Sequence, residues 1–120
     1  MHENWQEYQA GLSAPLKELR SGAPDAMKSF GALARAALAP NALDTKTKEL
    51  IALAIAVATR CDACIAFHAE SAVKFGASRE EVMETMGMAI YMGAGPSVMY
   101  AAKALEAFDQ FSDKAAPTSV

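Results

Sequence analysis

Apolar residues recur along most of the chain at spacings of three and four, the period of an α-helix. Trp5, Tyr8, Leu12, Leu16 and Leu19 share one helical face, which predicts a first segment over about Glu3 to Arg20. Pro15 falls inside it and predicts a kink or break, because proline lacks the N–H a helix interior needs. Ser21 and Gly22 end this segment. A second helix is expected over about Pro24 to Leu38, since proline suits a first helical turn. Pro40 and Asn41 interrupt the chain after it.

The run LIALAIAVA, residues 50–58, is apolar almost all round. It predicts a buried central helix over about Thr45 to Thr59, with Asp44 as its N-cap. A fourth helix, about Asp62 to Phe75, ends at Gly76, a residue suited to a left-handed C′ position. Ser78-Arg79-Glu80-Glu81 has the S-x-x-E form of a capping box and opens a fifth helix. That helix carries Val82, Met83, Met86, Ile90 and Tyr91 and stops at Gly93-Ala94-Gly95-Pro96. A sixth runs from about Pro96 to Phe111, and the polar tail over 112–120 is expected to fray. Neither an alternating strand pattern nor an internal repeat competes with this reading. The expectation is an all-α fold of about six helices, one domain over residues 1–120 with its motif-bearing core at about 41–111.

Composition narrows the function classes. Of 120 residues, 52% are apolar and 21% charged, which excludes a disordered chain. The net charge is −3 with no basic stripe, so no nucleic-acid partner is expected. The start, MHENWQEYQ, lacks the charged-then-apolar order of a signal peptide. The longest apolar run falls far short of a membrane span. A cytoplasmic protein without a membrane partner is therefore expected, and there a lone cysteine pair is more often catalytic or metal-binding than a structural disulfide. The apolar content is generous for a monomer of this size, which predicts surface buried between subunits.

The candidate chemistry lies in RCDACIAFH, residues 60–68, which holds both cysteines and one of the two histidines. The Cys61-x-x-Cys64 spacing at a helix start brings the sulfurs close enough to form a disulfide or share a metal. His68 follows Cys64 by four residues and so shares its helical face. The free N–H groups and partial positive charge of a helix N-terminus favour a thiolate. Arg60 adds to that field and Asp62 opposes it. Glu49 borders the apolar run. If the third and fourth helices pair antiparallel, it approaches the cysteine helix, and a carboxylate held against an apolar face can hold and pass a proton near neutral pH. A solvated acid in a first helical turn is an equally weighted alternative for Glu49.

Other readings of the segment stay open on the residues alone. Structural zinc takes four protein ligands, and beyond Cys61, Cys64 and His68 only His2 or an acid remains. A buried cysteine pair can also be inert. A thioredoxin-like reading wants a βαβ context that is absent. Phe67, Met86, Met88 and Tyr91 are candidates to line a pocket, although such stripes more often pack in a core.

Glu49, Cys61, Cys64 and His68 together follow the pattern E-x11-C-x2-C-x3-H. This resembles the AhpD-like alkylhydroperoxidase branch of the carboxymuconolactone decarboxylase family. The resemblance covers roughly Asn41 to Phe111, including LDTKTKELIALAIAVATRCDACIAFHAESAVKFGAS and GAGPSVMYAAKALEAF. It implies an all-α fold whose central helical hairpin carries the cysteines, assembled as a trimer or hexamer. It implies an antioxidant peroxidase that reduces small hydroperoxides through a Cys61/Cys64 disulfide cycle. Cys64 matches the nucleophile, Cys61 its disulfide partner, and Glu49 and His68 the proton relay. The electron donor implied is an external dithiol, either a lipoylated protein or a thioredoxin-like donor. No flavin or nicotinamide fingerprint is present, so no such cofactor is expected. The alternatives are a redox sensor, a thiol–disulfide exchange module, or the decarboxylase activity of a branch that lacks the cysteine pair. Thr45 stands where related sequences often carry proline. The chain is also shorter than the duplicated two-motif form of the fold, so oligomerisation would have to supply the second half.

Overall fold

A computed structural model describes residues 4–115. Among these residues the regular structure is all helix, with no strand. Six elements follow in order: α1 (Trp5–Gly11), α2 (Ser13–Gly22), α3 (Pro24–Leu38), α4 (Thr45–Ala58), α5 (Asp62–Lys74) and α6 (Arg79–Ala115). The all-α expectation holds, and no described helix is long and apolar enough to cross a membrane.

The body consists of α4, α5 and α6 packed pairwise against one another. Leu53, Val57, Ile65, Val82 and Phe108 lie in their shared core, closed by alanines at 56, 66, 69, 72, 104 and 107. Alanine at these contacts lets helix axes approach closely, as ridges seat in shallow grooves. The expected buried run in α4 is only partly realised. Leu53, Ala56 and Val57 are buried, whereas Ile51 and Ile55 are 44% and 56% exposed.

The entry into the fold departs from the sequence expectation. The single segment predicted over Glu3 to Arg20 is two helices, divided at Leu12, with Pro15 in the first turn of α2. Proline is tolerated there because a first-turn N–H has no helical partner to lose. The expected apolar face does not bury as one surface. Trp5 is fully buried and Tyr8 packs beside it, while Leu19 is 51% exposed. Neither α2 nor α3 contains a buried residue. They pair with each other and stand away from the core, joined to it through α1 and the start of α4.

Specific bonds fix the remaining joints. The Trp5 indole N–H donates to Glu106 Oε1 at 2.8 Å, and its backbone N–H donates to Gln110 Oε1 at 2.7 Å. These tie α1 to the far end of α6. Asp44 caps α4 by accepting from the Thr47 N–H, and hydrogen bonding to Thr47 holds its carboxyl below the usual aspartate range. Thr45, the residue in place of proline, donates its hydroxyl to the Leu38 carbonyl at 2.9 Å and so closes the end of α3. The Ser78–Glu81 capping box forms in both directions. Glu81 also accepts from Lys46, which joins the starts of α4 and α6.

The fifth and sixth predicted helices are both present within α6 and meet at Ala94, whose φ of 58° and ψ of −149° are not helical, so the break expected at 93–96 is formed. Gly93 is required beside it, because a Cβ there would lie 1.8 Å from the Ser97 hydroxyl oxygen. The helix runs to Ala115, and the rest of the predicted tail lies outside the described residues. His2 and Glu3 lie outside them as well.

Trp5→Ala is expected to destabilise the protein by about 3–5 kcal/mol, since it empties a buried site and takes the indole donor from Glu106. Urea unfolding followed by far-ultraviolet circular dichroism measures this.

Candidate functional site

The site is built at the turn of the α4–α5 hairpin. Helix α4 ends in a Schellman arrangement: Arg60 N–H bonds to the Val57 carbonyl and Cys61 N–H to the Ala56 carbonyl. Helix α5 ends in the same way through Gly76 and Ala77. Gly76 has a φ of 85°, as the left-handed C′ position favours. At the other turn the same position holds Arg60, at a φ of 58°. A side chain in this region carries a conformational penalty that glycine escapes.

Cys61 follows at once and has two structural roles. It completes the end of α4, and it is the N-cap of α5, its Sγ accepting the Cys64 N–H at 3.1 Å. Sulfur thus occupies the place of the usual capping oxygen, facing the N–H groups of a helix start. Cys61 and Cys64 are joined as a disulfide with their Cα atoms 5.2 Å apart. Of the pairings the spacing allowed, this is the one formed.

His68 lies one turn beyond Cys64 on α5, and its Nδ1 is 2.7 Å from Glu49 Oε1 on α4. The two helices therefore run antiparallel, and Glu49 reaches the cysteine helix. Glu49 is only 2% exposed, which removes the reading as a solvated first-turn acid. With Glu49 ionised, His68 donates from Nδ1, and the neutral ring then carries its lone pair on Nε2. The His68 side chain is about one-third exposed, so the pair runs from a buried carboxylate to an accessible imidazole.

Cys64 and His68 line a solvent-open cavity of about 240 Å3 together with Ala52, Ile55, Ala56 and Thr59. Ala52, Ala56 and Thr59 follow Glu49 by three, seven and ten residues, hence on its face of α4. That periodicity was a signal for these lining residues, and the sequence reading did not use it. The proposed lining set is not found there. Met86 is buried in the core, while Phe67, Met88 and Tyr91 are 37%, 59% and 79% exposed and lie away from this cavity. Phe67 and Met88 border other surface cavities instead, Phe67 with Gln9 and Glu70 and Met88 with Leu50 and Glu84. Among the described residues no three His, Cys, Asp or Glu side chains group as metal ligands.

A helical hairpin with a cysteine pair at its turn, and a carboxylate–histidine pair bridging its helices, defines an all-α thiol protein. Residues 24–107 match the carboxymuconolactone decarboxylase family, and the chain belongs to that family. An uncharacterized protein of Haemophilus influenzae is 44% identical over 108 residues, spanning 90% of this chain and 96% of its own. A carboxymuconolactone decarboxylase family protein of Legionella pneumophila, solved in its apo form, superposes with a TM-score of 0.87 at 52% identity. That match covers 90% of this chain and 96% of the other. A family member from Thermotoga maritima, described with a suggested part in an antioxidative response, superposes with a TM-score of 0.78 at 30% identity. It covers 88% of this chain and 91% of its own.

Arg60→Gly is expected to stabilise the fold by about 0.5–1 kcal/mol, as relief of the left-handed penalty outweighs the added freedom of the unfolded chain. The thermal midpoint should rise. An unchanged or lower midpoint would show that the Arg60 side chain stabilises the turn by other contacts.

Proposed function

We propose that the protein is a thiol-dependent hydroperoxide reductase in which Cys64 attacks the peroxide and Cys61 resolves the product. One observation carries this reading: the Cys61–Cys64 disulfide opens onto a cavity shared with a histidine that is hydrogen-bonded to a buried glutamate. The antioxidative part suggested for the Thermotoga relative supports the same direction.

In the reduced protein, His68 takes the Cys64 thiol proton, directly or through one water, and Glu49 stabilises the imidazolium that results. The Cys64 thiolate attacks the distal peroxide oxygen. An S–O bond forms, the O–O bond breaks, and the leaving alkoxide takes the proton back from His68. The products are an alcohol and Cys64 sulfenic acid. Cys61 then displaces hydroxide from that sulfur, which leaves as water and closes the disulfide. The N-cap position of Cys61 favours this step, because the α5 N–H groups stabilise its thiolate. An external dithiol reopens the disulfide by exchange and is itself oxidised to a disulfide. The sum is hydroperoxide plus dithiol giving alcohol, water and disulfide. The mostly apolar lining and modest volume of the cavity suit a small organic hydroperoxide. A lipoylated protein or a thioredoxin-like protein is the class of donor.

Steady-state consumption of an organic hydroperoxide with dihydrolipoamide as donor tests this. Cys64→Ser should abolish turnover. His68→Gln should lower kcat/KM by about 10²-fold, the low end of what a placed acid–base group contributes. Glu49→Gln, which keeps an acceptor for Nδ1 but removes the charge, should lower it in the same direction. Oxidation that stops after one equivalent with every dithiol tried would replace the enzyme by a redox sensor.

The chain works as a homo-oligomer in this reading, a trimer or a hexamer. Support comes from the unburied pair α2 and α3, where Phe30 and Leu33 are 65% and 63% exposed, and from Ile55 beside the cavity at 56%. Apolar surface of this extent is unusual on a monomer. Light scattering should give a mass of three or six chains at micromolar concentration, and a monomer mass would overturn the assembly.

A further inference from the structure

Lys103 stands in the second half of α6, after the break at Ala94, yet its ammonium reaches the start of α5. It lies 3.3 Å from each Asp62 carboxylate oxygen. It also sits 4.4 Å from the centroid of the Tyr100 ring, one turn back on its own helix. The pair is well covered, with Lys103 and Asp62 side chains 20% and 24% exposed. The Arg79–Asp109 pair, by contrast, is 54% and 40% exposed. Two anchors and partial burial therefore hold this cation in place and reduce its screening.

Asp62 lies between the two cysteines, directly after Cys61, in the first turn of α5. A carboxylate there favours the helix start but opposes a thiolate on either neighbouring sulfur. We infer that Lys103 is a positioning residue for the redox chemistry: it offsets the Asp62 charge and so sets the thiolate stability and reduction potential of the Cys61–Cys64 couple. Arg60 in the turn, the Glu49–His68 pair and the Tyr100 hydroxyl belong to the same neighbourhood. Lys103 differs from them in being a cation bonded to the carboxylate that lies between the two cysteines in sequence.

The inference rests on the cysteines being a working couple. Reduction adds two electrons and two protons to the disulfide, and a dithiol supplies both. Above the lower thiol pKa one of those protons is released and the reduced form carries a thiolate. A nearby cation stabilises that form and raises the potential, whereas an uncovered carboxylate lowers it.

The test uses the full chain. Thiol pKa values come from the ultraviolet absorbance of the thiolate in reduced protein. Exchange constants are measured against dithiothreitol at a pH above the thiol pKa in every protein. Lys103→Met keeps the apolar stem against Tyr100 and removes the charge. It should raise the apparent thiol pKa by about one unit. It should also disfavour the reduced form by about tenfold, equal to about 30 mV for a two-electron couple. Below both thiol pKa values the difference should vanish, which a packing defect would not produce. Asp62→Asn should shift both readouts the opposite way, the double variant should return towards the wild type, and Lys103→Arg should keep the wild-type values. Lys103→Met values within twofold of the wild type, or a double variant shifted as far as Lys103→Met alone, would overturn the inference. If no protein exchanged with dithiols, the redox reading itself would fail, while the thiol titration would still decide the role of Lys103.

Discussion

A carboxylate removed from water must find a partner, and Glu49 is buried with His68 as its partner across the α4–α5 hairpin. That one hydrogen bond fixes how the two helices lie along each other. A register one turn away would leave Glu49 buried against apolar neighbours and would free the imidazole. With the register set, the cavity face of α4 stands opposite Cys64 and His68. The same bond that closes the hairpin also orients the imidazole on the Cys64 side of the cavity, so one contact serves packing and placement together.

The hairpin turn compounds this economy. Only Thr59 and Arg60 separate the last residue of α4 from Cys61, which serves both helices. A longer loop would let the cysteine pair drift from the imidazole, since each added residue brings two more free dihedrals. The left-handed residue between the helices is what lets the chain reverse so sharply. Where nothing but reversal is needed, at the end of α5, the chain uses glycine. At the cysteine turn it keeps an exposed arginine in the same conformation despite its penalty, so an added positive charge stands next to the sulfur pair.

The legibility of these features in the sequence follows their range. Cys61, Cys64 and His68 lie within eight residues, and helical spacing alone puts them together. Caps at Asp44, Ser78 and Gly76 were legible for the same reason, because each bond spans a single turn. Glu49 was legible only as one of two choices, since its partner lies 19 residues away and its burial depends on packing. The division at Leu12 was misplaced because Pro15 marks a helix start there rather than a break. Helices α2 and α3 are strongly amphipathic yet contain no buried residue, and periodicity does not say what covers a face. Lys103 lies 41 residues from Asp62, and no local pattern connects them.

Three separate features act on the cysteine pair, and they come from three different elements. The N-terminus of α5 presents N–H groups to the Cys61 sulfur. Helix α4 supplies the carboxylate that holds His68 on the Cys64 side. Helix α6 brings a cation to the acid between them. The first cannot change without unfolding the helix, because it is the helix terminus itself. The second is a side-chain hydrogen bond, the one of the three that the cycle proposed above would make and break. The third is a largely covered charge pair, which in the inference above would only set a baseline. The cycle proposed for Cys64 and Cys61 asks for different protonation of the two sulfurs at different moments, and such a division would supply a constant field at Cys61 and a switchable one at Cys64. The close packing of α4, α5 and α6 is therefore what makes two chemically identical side chains, three residues apart, inequivalent.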